Sequence, residues 1–224
     1  MKSQLIVLDV DDTLYLERDY VRSGFQAVSE YVEGEFGFSE FYDLAWTAFL
    51  EGRRRTIFDE ALNHFPPHIE VRPSIADLVA VYRHHKPDIA LCPDAQVFLD
   101  EAVKDYRLAV ITDGPAASQR NKVEALNLDR WVSEFVVTDE HGPTWPKPSL
   151  LPFQRLEEVF GAYGGDCVYI ADNPNKDFLG PVVLGWRTVR ISRPLGLHCE
   201  APVLENSRAG VRFDDLTGVF EALW

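Results

Sequence analysis

Near its start the chain reads QLIVLDVDDT, so that Asp9, Asp11 and Asp12 close an apolar run from Gln4 to Val10. Residues two apart in an extended segment point to the same side, and Asp9 and Asp11 can therefore address one ligand from a single strand end. Three more apolar runs are followed by reactive groups. Thr112 and Asp113 follow RLAVIT (Arg107 to Thr112), Lys147 lies in a PKP segment beyond FVVT (Phe135 to Thr138), and Asp172 and Asp177 sit in DNPNKD after CVYIA (Cys167 to Ala171). Singly, an aspartate or threonine after a strand is commonly a turn former or helix N-cap. Together, the acids, a hydroxyl and a lysine supply a nucleophile, a cation site, a proton carrier and donors for equatorial oxygens, which is what phosphoryl transfer needs.

These groups meet only if their runs share one sheet. The runs are short, continuous and rich in β-branched residues, as suits strands buried on both faces, and Trp186 to Ile191 adds a fifth. Helical patterns over Ala117 to Leu126, Ser149 to Phe160 and Asn175 to Leu184 alternate with them, so the expected class is α/β, a Rossmann-like doubly wound parallel sheet. Ligands in such sheets bind outside the carboxyl ends of the strands. Neither GxGxxG after the first strand nor a Walker A sequence is present. Residues 15–93 differ: they lack strands and carry aromatic-rich helical patterns over Tyr20 to Phe36, Ser39 to Leu50, Arg55 to His64 and Ser74 to His85. This block, ahead of a helix at Asp94 to Asp105, is expected to be a helical insertion over the strand ends, with residues 1–14 and 94–224 forming the sheet domain.

DVDDT, then a separate threonine, a lysine and DNPNKD, resembles in order and content the four motifs of the haloacid dehalogenase-like superfamily, its phosphatase branch with a helical cap. That resemblance implies that Asp9 attacks phosphorus to form an aspartyl-phosphate and that Asp11 protonates the leaving oxygen and later activates water. It further implies that Thr112 and Asp113 bind the phosphoryl group, that Lys147 offsets its charge and that of Asp9, and that Asp172 completes a Mg²⁺ shell with Asp9 and the Asp11 backbone carbonyl. Asp177 and Asn173 would support that metal loop. Asp12, Asp113 and Ala171 stand where glycine, asparagine and glycine are frequent in the family; none of the three removes a catalytic group. Dehalogenating relatives lack the second acid, because a halide leaves without a proton, so Asp11 favours a phosphatase.

Lysine plus arginine total 22 against 36 acids, a formal charge of −14, which repels a polyanionic backbone. Nucleic acid is not an expected partner, and a small phosphorylated metabolite would need a cation and positive side chains to reverse the local field. Arg53, Arg54 and Arg55, in the helical block, are candidates for substrate contact. Trp145 is a candidate pocket wall, His84, His85, His141 and His198 lack metal-ligand spacing, and Glu17, Arg18 and Asp19 are read as the start of the helical block. Three cysteines without CxxC spacing point to a reducing compartment, and with no long apolar stretch the expected setting is cytoplasmic, without membrane contact. A phosphomutase of the same superfamily, a receiver-like phospho-acceptor and a non-catalytic binding protein are the alternatives. A receiver would place its acceptor on a middle strand and its lysine last. The oligomeric state, monomer or homodimer, is left open by the sequence.

Overall fold

A computed structural model describes residues 4–67, 69–202 and 209–223. The chain forms two compact units, one from residues up to Arg18 with those from Ile89 onward, the other Asp19–Asp88. The junctions lie a few residues inside 15 and 93 for a local reason: Tyr15 is wholly buried in the sheet unit, and Cys92 N–H donates to Leu14 O at 2.9 Å, tying the outgoing and returning chain together.

The sheet unit contains six parallel strands, β1 (Leu5–Leu8), β2 (Arg107–Thr112), β3 (Glu134–Val137), β4 (Cys167–Ala171), β5 (Arg187–Ile191) and β6 (Val211–Phe213), in the order β3-β2-β1-β4-β5-β6. The helices α5 (Pro93–Asp105), α6 (Ala116–Ala125), α7 (Leu151–Phe160) and α8 (Leu179–Val183) connect successive strands. Progression runs outward from β1 through β2 to β3 and then resumes at β4 on the other side of β1. That reversal opens a crevice at the carboxyl ends of β1 and β4, where Asp9 and Asp172 emerge.

The apolar runs do not alternate because both sheet faces are covered. Leu5, Val7, Ala109, Ile111, Cys167 and Tyr169 pack with Phe153 and Leu156 of α7 and with Phe178 and Trp186. Their neighbours Ile6, Leu8, Leu108, Val110, Val168 and Ile170 are buried as well, and successive strand residues face opposite sides. Each of the buried valines, leucines, isoleucines and phenylalanines among them contributes on the order of 1.5–3 kcal/mol of burial. Trp145 packs against this cluster and stacks on His141 at 4.2 Å. The strand β6 was not expected: it has three largely exposed residues, too few for a periodic signal. The helix α8 begins at Leu179 rather than Asn175 because residues 173–177 form a hydrogen-bonded turn.

The second unit is helical, built from α1 (Glu17–Phe36), whose first residues belong to the sheet unit, α2 (Phe41–Leu50), α3 (Ile57–Asn63) and α4 (Ile75–His84). Aromatic edges hold it together: Phe25 meets Phe49, Phe58 and Tyr82. Gly24 is required here, since a Cβ would lie 2.4 Å from Tyr82 Cε2. A capping box between Ser74 and Asp77 starts α4. Among the described residues no helix is long and apolar enough to cross a membrane.

Candidate active site

Asp9 N–H donates to Ile170 O at 2.9 Å, extending the β1–β4 pairing by one residue and setting Asp9 against β4. The chain then turns, with Leu14 N–H returning to Val10 O at 3.0 Å. Asp12 carries the turn at φ +52°, a left-handed conformation that costs most residues about 1–2 kcal/mol and that Asp tolerates through local hydrogen bonding. Its buried carboxylate accepts from Glu17 N–H at 2.9 Å and Leu197 N–H at 2.6 Å. Glycine would adopt this φ without strain, and Asp12 offsets the strain with two backbone bonds instead. Burial and the neighbouring Asp11 also push the Glu17 carboxyl up to about 7.

Lys147, with a wholly buried side chain, joins three of the expected groups. Its Nζ lies 2.7 Å from Asp9 Oδ1 and 2.9 Å from Asp177 Oδ1, and it donates to the Tyr169 hydroxyl at 2.9 Å. The approach to Asp177 Oδ1 is an ion pair without hydrogen-bond alignment, so that buried oxygen keeps unused acceptor capacity. Burial pushes the Asp9 carboxyl up to about 6, against the pull of Lys147. The lysine itself stays charged, because its acidic neighbours outweigh the cost of burial.

Asp172 lies in the loop after β4. Burial and the nearby Asp177 and Asp9 raise its carboxyl well above the usual carboxylate range. Ligand oxygens of Asp9, Asp172 and Asp177 all fall within 4.8 Å of one another. Three buried carboxylates, two with raised pKa and one with an unsatisfied oxygen, form a donor set that suits a hard divalent cation such as Mg²⁺. The loop is held by Asn173 N–H to Asp177 Oδ2 at 2.9 Å, Asn175 N–H to Asn173 Oδ1 at 3.0 Å, and Arg190 Nε to Asp172 O at 3.2 Å.

Asp113 is an anchor. Its Oδ1 accepts from the Thr138 hydroxyl at 2.8 Å and Lys147 N–H at 3.2 Å, while Oδ2 pairs with Lys176 Nζ at 3.1 Å. Burial opposes its ionisation, but Lys147 and Lys176 prevail and its carboxyl is lowered. An acceptor so occupied can offer a phosphoryl oxygen only its backbone N–H. Thr112, fully buried, donates its hydroxyl to Gln119 Oε1 at 2.8 Å.

The Asp11 carboxylate does not join the acidic cluster. Lys122 Nζ is 2.7 Å from both its oxygens, the Tyr15 hydroxyl donates to Oδ1 and Gln119 Nε2 reaches Oδ2 at 3.5 Å. Burial disfavours its charge, yet Lys122 and Tyr15 more than offset this and lower the pKa. The carboxyls of the site therefore differ: Asp9, Asp12 and Asp172 are raised, Asp11 and Asp113 lowered. Lys122 lowers Asp11, and Lys147 with Lys176 lowers Asp113; neither Lys122 nor Lys176 was assigned from the sequence. Lys122 left no signal in the sequence: the buried positions of α6 are Ser118, Gln119 and Lys122, polar residues that apolar periodicity does not mark as inward-facing.

In the helical unit Arg53 is ion-paired with Glu51 and Glu60, Arg54 lies over the Phe49 ring at 4.9 Å, and Arg55 is exposed. Arg53 is therefore neutralised within its own unit. His84 and His85 contact the Ala80 and Tyr82 carbonyls at 2.8 and 2.6 Å.

The family model for haloacid dehalogenase-like hydrolases matches residues 4–182. The chain is 31% identical over 170 residues, 75% of its length, to a phosphoserine phosphatase of Thermus thermophilus, and spans 64% of that relative. It is 31% identical over 105 residues, 46% of its length, to the rat N-acylneuraminate-9-phosphatase, and spans 42% of it. In fold it is similar to the hydrolase YfnB of Bacillus subtilis in its magnesium-bound crystal structure, with a TM-score of 0.70 at 17% identity over 100% of this chain and 99% of that one.

Proposed function

The chain belongs to the haloacid dehalogenase-like hydrolases, and on that premise we propose that it is a phosphatase that hydrolyses a small phosphomonoester through a covalent intermediate on Asp9. One observation carries the reading: Lys147 Nζ sits 2.7 Å from Asp9 Oδ1, at the crevice where the Asp172 and Asp177 carboxylates also arrive. Residues from β1, β4 and the segment after β3 thus converge on one carboxylate.

In this reading an Asp9 oxygen attacks phosphorus, the ester oxygen departs with a proton from Asp11, and the phosphoryl group remains on Asp9. Water then attacks that phosphorus as Asp11 takes its proton, which releases inorganic phosphate and restores Asp9. Asp9, Asp172 and Asp177, with the Asp11 carbonyl, would hold Mg²⁺, which supplies positive charge at a phosphoryl oxygen. The grip of Lys122 and Tyr15 favours the Asp11 anion, which is the form the second step uses, and an arriving phosphate dianion favours the protonated form for the first. Thr112 would turn its hydroxyl from Gln119 to a phosphoryl oxygen. Lys147 keeps the Asp9 region near neutrality as charge moves through it.

In this reading the helical unit 19–88 would serve as a cap that shuts out bulk water and macromolecules. Substrates would accordingly be small, in keeping with the two relatives named for phosphoserine and for an acylneuraminate phosphate, and Arg54 and Arg55 are the candidates in this unit for holding an anionic group. The test is phosphate release from a panel of phosphorylated metabolites with Mg²⁺. Release that stops on EDTA addition and in Asp9→Asn supports the reading; no release from any ester, or an active Asp9→Asn, overturns it. A phosphomutase would return an isomeric ester without free phosphate.

A further inference from the structure

We infer that Lys122, together with Gln119, is a positioning residue that fixes the Asp11 carboxylate and leaves its Oδ2 as the proton-exchanging atom. The inference rests on the phosphatase reading above. The side chain of Lys122 is only 4% exposed and its Nζ lies 2.7 Å from each oxygen of Asp11. Lysine is seldom buried without a partner, and withdrawing an ammonium from water is unfavourable, so this placement calls for a purpose beyond packing. One helical turn earlier, Gln119 shares the same face. It accepts from the Thr112 hydroxyl at 2.8 Å and extends Nε2 to Asp11 Oδ2 at 3.5 Å. Room for it is kept by Gly114, where a Cβ would lie 2.7 Å from Gln119 Nε2 at a φ of +126°.

A carboxylate has about four lone-pair directions. On Oδ1 of Asp11, Lys122 and the Tyr15 hydroxyl occupy both. On Oδ2, Lys122 takes one, and among the described residues the other meets only the 3.5 Å contact of Gln119, too long to be a firm hydrogen bond. The carboxylate is thereby held in one rotation with a single open direction. Each carboxylate of the DxD pair has its own buried lysine: Lys147 serves Asp9 and Lys122 serves Asp11.

The experiment uses leaving groups that differ in their need for a proton. An alkyl phosphomonoester releases an alkoxide oxygen that must be protonated, whereas p-nitrophenolate departs unaided. Single-turnover release of the alcohol or phenol is measured for the wild type, Lys122→Met, Lys122→Arg and Asp11→Asn. Lys122→Met is expected to slow alkyl release about a hundredfold or more and p-nitrophenol release less than about tenfold, with substrate KM little changed and partial recovery in Lys122→Arg. Equal slowing of both substrates, or no slowing, overturns the inference. Should Lys122→Met fail to fold, Lys122→Arg decides by the same ratio, and an equal or absent effect there counts against the inference. Asp11→Asn separates the two levels: if it shows no leaving-group discrimination, the role of Asp11 itself falls; if it discriminates and the Lys122 variants do not, only the positioning role falls.

Discussion

Replacing Lys147 by methionine removes a fully buried cation that lies within ion-pair distance of both Asp9 and Asp177. At 2.7 and 2.9 Å and an effective dielectric of about 20, each attraction is on the order of 6 kcal/mol. Most of this is offset by the desolvation of three ions, and breaking a buried pair by deleting one partner costs about 3–5 kcal/mol net. Methionine fills much the same volume, so the loss is electrostatic rather than a cavity. Asp9, already raised to about 6 with the lysine present, rises further without it. A carboxyl raised above its unfolded value lowers stability when ionised, and that penalty fades as pH falls and the group takes up its proton. Urea unfolding of metal-free protein at pH 8 should therefore show the variant about 3–5 kcal/mol less stable, with the gap narrowing at pH 5. Activity at pH 7 should fall by several powers of ten, since a protonated Asp9 is no nucleophile. A gap below about 1 kcal/mol, the level of an exposed pair, or one equal at both pH values would refute the reasoning.

Proton competition should govern cation binding: Asp9 is raised to about 6 and Asp172 lies well above its usual range, both by burial, so Mg²⁺ affinity should strengthen as pH rises through about 6. Thermal melts with and without Mg²⁺ measure this, and an equal shift at pH 5 and pH 8 would contradict it. At Asp12, alanine keeps the φ +52° strain and loses both amide acceptors, whereas glycine loses only the acceptors. Asp12→Ala should then be about 1 kcal/mol less stable than Asp12→Gly, and the reverse order in urea titrations would show that the strain argument fails.

The strands β1, β2 and β4 were legible because burial on both faces writes an unbroken apolar run, and the reactive groups were legible because they close those runs. What escaped was set by tertiary placement. β6 is short and exposed, so nothing in Val211–Phe213 marks it as a sheet partner. Residues 175–178 continue a helical pattern, but Asp177 accepts from Asn173 N–H and forces a turn. Lys122 and Lys176 sit in polar surroundings of sequence, where lysine is ordinarily solvated; only the fold brings one to Asp11 and the other to Asp113. Asp113 is expected to bind the phosphoryl group, and its side chain also holds the Lys147 and Lys176 segments, which the sequence does not show. Spacing shows which residues lie near a strand end, and packing decides which of them touch.

The central claim is that phosphorus becomes bonded to Asp9. Enzyme turning over a substrate found by phosphate release should be quenched in acid, reduced with borohydride, which converts an acyl phosphate to an alcohol, and digested for mass spectrometry. The peptide spanning Leu5–Thr13 should carry homoserine at position 9, dependent on substrate and missing from the Asp9→Asn protein. Homoserine at Asp113 or Asp172 instead, or unmodified aspartate throughout under conditions that trap other acyl phosphates, would contradict the account.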